Sequence, residues 1–565
     1  MDTGNPPRRH RRLRKASDLL AVTDASSCSK GNQNQMHRNK EHNNCDDRIS
    51  TLPDEMLITI LDKLDARTTI TTTILSKLHL PRRLQTSYFL SVHELLPPRY
   101  YRLKQILMDV KAAYEAEKNT QNLTDSFAVK DRYEQWMGRI RRLSSILQRY
   151  ERRGMRYYIK RVNAFLLAPK NVLRRRSVKK LRIESFRTSS YIDQWITAAI
   201  AGCGVEDLEL AIEGFGYHLY DFRLLDGLQN VRLKRLVLSR CFHHFAFNSL
   251  LFYRLTELTL CKILDLGSIG DVLTNCVQLV DFRLKYSCVY YPVLRICAPA
   301  SKLKRLQVDN CKLGKFYLNS LPFLETFVCR GQPTKIYYGE VPRLRHVSLN
   351  FLQIGDNGRI TSFSYFPLLD YRFLGCEHDS SSSNMTYPLS KFFKGMPLLE
   401  NLVLQLKGPQ MWIEPTAIPS AFSHLRKLFI ANVPIYWDIF WIFILLDAAP
   451  SLESLHVHID NSSENMSAGL DVQGEHEYHL LKELVVIGFN GVSWQTCFVK
   501  QIMRASPRLM RIHLLDGHVV EDDDRELGSL EIVPHRREWE EREKLEVIDD
   551  LVDGFSLRYW EIILE

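Results

Sequence analysis

A six-residue pattern, apolar at its first, fourth and sixth positions, returns fourteen times between Val178 and Leu514 of this 565-residue chain. It reads VKKLRI (178–183), VEDLEL (205–210), LKRLVL (233–238), LTELTL (255–260), LVDFRL (279–284), LKRLQV (303–308) and LETFVC (324–329). It continues as LRHVSL (344–349), a weaker LLDYRF (368–373), LENLVL (399–404), LRKLFI (425–430), LESLHV (452–457), LKELVV (481–486) and LMRIHL (509–514). Fourth positions follow one another at intervals of 20 to 31 residues. In a strand, alternate side chains leave opposite faces, so positions 4 and 6 point one way and positions 3 and 5 the other. No single copy can bury its apolar face, whereas stacked copies share one continuous core. An α/β solenoid is therefore the expected fold.

Outside the repeats, composition divides the chain. Residues 1–46 are rich in Asn, Ser, Arg and Lys and lack apolar periodicity, which predicts a disordered basic tail. Residues 47–96 hold a short apolar helical pattern: Leu57, Ile60, Leu61 and Leu64 recur on one helical face behind Pro53, Asp54 and Glu55. Residues 97–177 read as a basic helical spacer. One helical face there carries Leu103, Ile106, Leu107, Val110 and Tyr114, and another carries Trp136, Ile140, Leu143, Leu147 and Tyr150. Repeats fill 178–515, and 516–565 form an acidic C-terminal module.

The formal charge of +11 hides an asymmetry, because residues 97–182 alone carry +16 and residues 516–565 carry −11. The two blocks are expected to contact each other and steady the ends of the array. The repeat body is close to neutral, which argues against one nucleic-acid-binding surface. The longest strongly apolar run, Ile435 to Leu446, is too short to span a bilayer and predicts a buried helix. The N-terminal MDTGNPPRRHRRLRK shows no apolar leader, and the cluster Arg8, Arg9, Arg11, Arg12, Arg14 and Lys15 suits a nuclear address, so the expected location is nucleus and/or cytoplasm.

Signatures of chemistry are missing from the sequence: it has no Walker loop, G-x-S-x-G, H-E-x-x-H or C-x-x-C among its twelve cysteines. His243 and His244 have no carboxylate spacing around them, and His456 with His458 lacks third and fourth metal ligands nearby. The run Glu521, Asp522, Asp523, Asp524 reads as a solvated acidic loop. No catalytic, metal or cofactor residues are expected.

Cys241 after LKRLVLSR and Cys311 after LKRLQVDN occupy the Asn/Cys position of the leucine-rich-repeat consensus. The segment DRISTLPDEMLITILDKLDARTTITTTILSK, with its L-P-D-E opening and L-S-K ending, resembles the F-box of plant, grass-type F-box/leucine-rich-repeat proteins. YIDQWITAAIAGCGVEDLELAI (191–212) and the close from PRLMRIHLLDG to GFSLRYWEIIL resemble other parts of such chains. The resemblance implies a leucine-rich-repeat horseshoe preceded by a small all-α F-box and a helical spacer. It implies that the F-box binds the Skp adaptor, and through it a cullin, while the repeats hold an unknown target protein for ubiquitination. Carried across, Leu52, Pro53, Leu57, Ile60, Leu61 and Leu64 would form or back the adaptor-facing surface, and Ile74 and Leu75 would support the second helix. One departure is plain: the family continues S-K-R-W, whereas Leu78 and His79 follow Ser76-Lys77 here, with Pro81 close behind. The alternative is a leucine-rich-repeat scaffold or decoy with a degenerate F-box.

Outward positions of successive strands would line a concave partner surface. Lys234, Arg235, Val237, Thr256, Glu257, Thr259, Lys304, Arg305 and Gln307 are such positions, and their mixed signs favour a protein partner over a phosphate backbone.

Overall fold

The computed structural model describes Met56 and residues 87–120, 127–167, 178–186, 190–212, 220–221, 231–242, 252–263, 269–287, 293–311, 313–352, 387–388, 398–407, 413–414, 422–434, 437, 439–460, 477–521, 527–535, 539–555 and 560–565. Among the described residues, fifteen strands form one sheet in which spatial order follows chain order. They are β1 Ser87–Ser91, β2 Lys180–Ser185, β3 Asp207–Ile212, β4 Arg235–Ser239, β5 Glu257–Cys261, β6 Asp281–Lys285, β7 Arg305–Asp309 and β8 Thr326–Gly331. The series continues with β9 His346–Leu352, β10 Asn401–Lys407, β11 Lys427–Pro434, β12 Ser454–Asp460, β13 Glu483–Ile487, β14 Arg511–Leu515 and β15 Glu561–Leu564. Neighbours pair in parallel from β1 through β15.

Apolar positions 4 and 6 of the copies lie in register and are buried, as at Leu236 and Leu238 in β4 and Leu258 and Leu260 in β5. They face a second layer within the same apolar cluster. That layer includes the helices Ser190–Thr197, Ile269–Asn275, Ile442–Asp447 and α3 (Ser493–Ala505). Ile439, Ile442, Phe443, Leu445 and Leu446 are buried there, in agreement with a buried helix near 435–446. A three-stranded parallel sheet, Val293–Cys297, Lys315–Asn319 and Lys335–Tyr338, takes the place of helices between β6 and β9. The short repeats explain that choice. Five strand residues cover about 16 Å, a length for which a helix needs roughly 11 residues.

Two recurring backbone links tie strands together, the first along most of the array and the second after β4 to β7. Before the strand, an N–H reaches back one repeat, as Thr256 N to Lys234 O (2.8 Å) and Lys304 N to Val280 O (2.9 Å). After the strand, one residue adopts a left-handed turn and its N–H reaches forward. Arg240, Lys262, Tyr286 and Asn310 (φ 47 to 58) donate to Cys261 O, Lys285 O, Asp309 O and Arg330 O. Gly331 stands at the matching place with φ 121, and a Cβ there would lie 2.9 Å from the Asn310 Cα, so only glycine fits. Cys311 is buried, and its Sγ faces Asp309 O at 3.3 Å and Leu284 O at 3.6 Å. The repeat position that favours Asn or Cys thus serves carbonyls of adjoining repeats.

Several sequence expectations change. Thirteen of the fourteen copies coincide with sheet strands. The copy at 368–373 lies outside the described residues; β9 and β10 pair directly with each other. Residues 87–91 were assigned by sequence to the helical segment 47–96, yet they form β1, the edge of the sheet. The basic spacer is therefore inserted between β1 and β2, where α1 (Pro98–Thr120) and α2 (Phe127–Leu166) form a helical hairpin. Tyr114 packs on Tyr133, and the Trp136 indole N–H donates to Glu117 at 2.7 Å. Leu107, Val110 and Leu147 are buried as their faces require, whereas Ile106 is exposed.

The acidic module is likewise continuous with the array, since its last strand β15 extends the sheet beyond β14. α2 joins the β1 end, through Tyr158 OH to Leu90 O (2.7 Å), and α4 (Glu541–Val552) joins α3 at the other, through Lys500 and Asp550 (2.7 Å). The helical hairpin of the basic block and the last strand and helix of the acidic block are thus anchored at opposite ends of the sheet, on the order of 60 Å apart along it. The expected contact between them is not how either is anchored.

Candidate interaction surface on the strand face

The face of the sheet turned away from the core carries three rows of side chains, set by strand register. The lower row runs Asp207, Arg235, Glu257, Asp281, Arg305 from β3 to β7. The central row runs Glu209, Val237, Thr259, Arg283, Gln307, Val328, Ser348, Val403 from β3 to β10. The upper row includes Lys285, Asp309, Arg330, Asn350 and Gln405.

Charges in the first half neutralise one another across strands. Arg182 bridges Glu184 (2.6 Å) and Glu209 (3.1 Å), and Arg235 bridges Asp207 (2.8 Å) and Glu257 (3.4 Å). Asp281, 3% exposed, accepts from Arg283 (3.1 Å) and Arg305 (2.9 Å). Burial pushes the Glu209 carboxyl up, against the opposing pull of Arg182 and Arg235. A lattice of this kind presents alternating, mutually satisfied charges, which suits a patterned protein surface better than a run of phosphates. Asp281→Ala removes the acceptor shared by two guanidiniums and leaves them side by side. Urea unfolding is expected to show a loss of about 2 kcal/mol, with Asp207→Ala, more exposed, losing less.

The nine residues that sequence placed on this face separate into three groups. Arg235, Glu257, Arg305, Val237 and Thr259 are brought together on it. Lys234, Thr256 and Lys304 precede their strands and sit on the rim, where Lys234 pairs with Glu206 (2.8 Å), Lys304 with Glu325 (3.0 Å), and Thr256 Oγ1 donates to Lys234 O (3.1 Å). Gln307 corrects the expectation of an open contact residue: it is 0% exposed and its Nε2 donates to Asp309 Oδ2 at 2.7 Å. The adaptor-facing candidates Leu52, Pro53, Leu57, Ile60, Leu61, Leu64, Ile74 and Leu75 lie outside the described residues, as do Leu78, His79 and Pro81.

Sequence reasoning missed what covers the second half of the face. The hairpin Gly517–Glu521/Leu530–Pro534 packs against it: Val519 and Ile532 join Phe429 around buried Val485, Ile487 and Leu515. Glu521, read from sequence as part of a solvated acidic loop, bridges Arg330 (3.3 Å) and accepts from Asn350 Nδ2. Its signal was the pair of β-branched dipeptides Val519-Val520 and Ile532-Val533 in GHVVE and LEIVP, one segment opening on glycine and the other closing on proline. His456 and His458 both lie in β12. His456 is 3.7 Å from Glu483, and His458 is buried. Among the described residues no cluster of three or more His, Cys, Asp or Glu could hold a metal ion. Cys276 and Cys329 are buried, and desolvation pushes the Cys276 thiol up to about 12, so neither is an activated nucleophile. Among the described residues no helix is long and apolar enough to cross a membrane.

A family model described as At1g61320/AtMIF1, LRR domain, matches residues 173–371 and 359–516, more than half of the chain. The chain belongs to this leucine-rich-repeat family. As a member of the At1g61320/AtMIF1 leucine-rich-repeat family it carries an LRR solenoid, and that domain supports a role in protein interaction. The crystal structure of a TLR13–ssRNA13 complex is similar at 13% identity and a TM-score of 0.31, covering 64% of this chain and 54% of that one. The chain thus spans about half the length of that relative. The comparison with curated proteins returns no match.

Proposed function

We propose that the chain is the substrate-recognition subunit of a Skp–cullin–F-box ubiquitin ligase, non-catalytic itself, working in the nucleus and/or cytoplasm. The segment 47–77 would bind the Skp adaptor, and the strand face would hold the target protein. The observation that carries this reading is the order of modules: a sequence segment that opens L-P-D-E and resembles an F-box, a helical hairpin, and a leucine-rich-repeat array whose strand face is a lattice of polar and charged side chains. Ubiquitin transfer would fall to partner subunits.

Co-purification tests it. The full chain is expected to recover the Skp adaptor, and Leu57→Asp with Leu61→Asp is expected to lower recovery at least tenfold. Equal recovery by both sinks the adaptor assignment. Leu78 and His79 in place of the family's Arg-Trp favour a second reading, an interaction scaffold or decoy that binds its partner without directing turnover. Partner bound by the array, yet degraded at the same rate without this protein, selects that reading.

A further inference from the structure

The strand face is used differently along its length. From β7 to β10 the central row Gln307, Val328, Ser348 and Val403 is buried although it points away from the core. The upper row beside it, Asp309, Arg330, Asn350 and Gln405, is buried too. The cover includes a part of the chain itself. Leu527 is buried, and Gly528 (φ +79) lies so near that a Cβ would stand 2.6 Å from Val328 Cγ2 and 2.9 Å from Ser348 Cβ. Glu521 is seated between Arg330 and Asn350, and Val519 and Ile532 pack, with Phe429, against Val485, Ile487 and Leu515.

Two features separate this cover from a permanent part of the fold. First, the hairpin is a two-stranded sheet of its own and adds no strand to the array, whereas β15, which follows it in the chain, does. A two-stranded hairpin is marginal by itself, so its position depends on contacts with the rest of the chain, among them the apolar cluster, the Glu521 carboxylate and the close approach of Gly528. Its outer side chains stay exposed, Val520 among them. Second, the surface beneath is polar. Burying Arg330, Ser348 and Asn350 under a fixed lid costs desolvation that apolar side chains would not incur. Such a set is what a surface needs when it hydrogen-bonds an extended ligand.

We propose that the hairpin is a displaceable internal occupant of the strand face over β8 to β13, and that its competitor is a protein segment of the same chemistry. That segment is extended and places a β-branched apolar residue two positions before a carboxylate, as Val519 stands before Glu521. The apolar residue takes the seat on Val485, Ile487 and Leu515, and the carboxylate takes Arg330 and Asn350. The proposal rests on the reading of the strand face as the partner surface, and it narrows that surface to its second half and to an acidic, β-branched ligand.

The test uses the full chain with Gly528→Val and Glu521→Lys, which together remove the close approach and the carboxylate of the built-in occupant. The probe is a labelled synthetic peptide of residues 516–535. It is expected to bind the double variant at least tenfold more tightly than the unaltered chain. A peptide carrying Val519→Asp and Glu521→Lys is expected to bind neither. Hydrogen exchange at 517–521 and 530–534 should rise in the variant while β14 and β15 stay protected, which shows that the array is intact. A second variant, Arg330→Gln with Val485→Asp, opens the seat and also destroys it, and should bind no peptide. Equal affinity for the double variant and the unaltered chain overturns the proposal, as does an opened hairpin without peptide binding. Equal competition by a single-stranded oligonucleotide overturns the choice of a protein ligand. None of these measurements involves the adaptor, so failure here and failure of the ubiquitin-ligase reading are separable.

Discussion

Phe327→Ala is expected to cut the array in two. Phe327 lies on β8, the eighth of fifteen strands, is 0% exposed, and stands 5.7 Å from Phe316 and 6.2 Å from Tyr338, measured between ring centroids. Loss of a buried phenyl ring costs about 3–5 kcal/mol where the site cannot collapse. Collapse is hindered here, because β7 and β9 are fixed on both sides by backbone links to their own neighbours. In a solenoid each repeat touches only the next, so damage at the middle removes the coupling between halves as well as local packing. Urea unfolding followed by circular dichroism should therefore separate into two transitions, with hydrogen exchange in β7 to β9 rising with the first. Tyr337→Ala removes an aromatic ring that is 42% exposed, ten residues away in sequence, and that stacks on Tyr317 at 4.6 Å; it should cost about 1 kcal/mol and leave a single transition. A single transition at the unaltered midpoint in Phe327→Ala would show that the repeats are not coupled through this core.

The repeats were legible because their constraint is local. Positions 4 and 6 of each copy must be apolar to share the core, and Leu236, Leu258, Leu306 and Leu428 satisfy that requirement within six residues of sequence. The two edge strands escape the pattern. β1 reads SYFLS, and its Tyr88 and Leu90 are only half buried, while Phe89 turns to the strand face beneath the Arg182 guanidinium at 4.7 Å. What holds β1 is distant: Tyr158 of α2 donates to Leu90 O, and Ser91 Oγ donates to buried Glu184 (2.6 Å). Neither partner is visible from residues 87–91. β15 shares that position, a four-residue strand with one neighbour.

The strand face shows the same division between local and long-range information. Outward positions follow from alternation, so Arg235, Glu257 and Arg305 were placed correctly by counting. Whether an outward residue meets solvent depends on what else lies on the face. Gln307 and Arg283 share one row and adjacent strands, yet Gln307 is buried and Arg283 half-buried. The polar upper row Asp309, Arg330, Asn350, Gln405 was the available signal, four neighbouring repeats with hydrogen-bonding side chains at one position. Its occupant, Glu521, comes from 171 residues beyond Asn350, and no local rule joins the two.

Acid should weaken the C-terminal half of the array through His458. The ring is 5% exposed, and its Nδ1 accepts the N–H of Asn432, a residue in a left-handed conformation (φ 59) where the β11–β12 register shifts. That acceptor role requires the neutral ring. Burial holds its pKa at about 4, below the usual 6.5, with His518 and His535 on the hairpin pushing in the same direction and Asp460 in the other. The unfolded chain therefore binds the proton more readily between those values. The stability that His458 contributes is complete above about pH 6.5 and is lost as pH falls toward 4, by at most about 3 kcal/mol. Burial lowers the pKa of His456 as well, so both β12 histidines act with the same sign. His458→Gln keeps an acceptor for Asn432 without a titrating ring. Unfolding measured at intervals from pH 7 to pH 4 should then lose stability less steeply in His458→Gln than in the unaltered chain. Parallel curves for the two proteins would place the acid sensitivity elsewhere. Because His458 adjoins the hairpin, faster exchange at 517–521 and 530–534 should accompany the acid loss, and it should be smaller in His458→Gln.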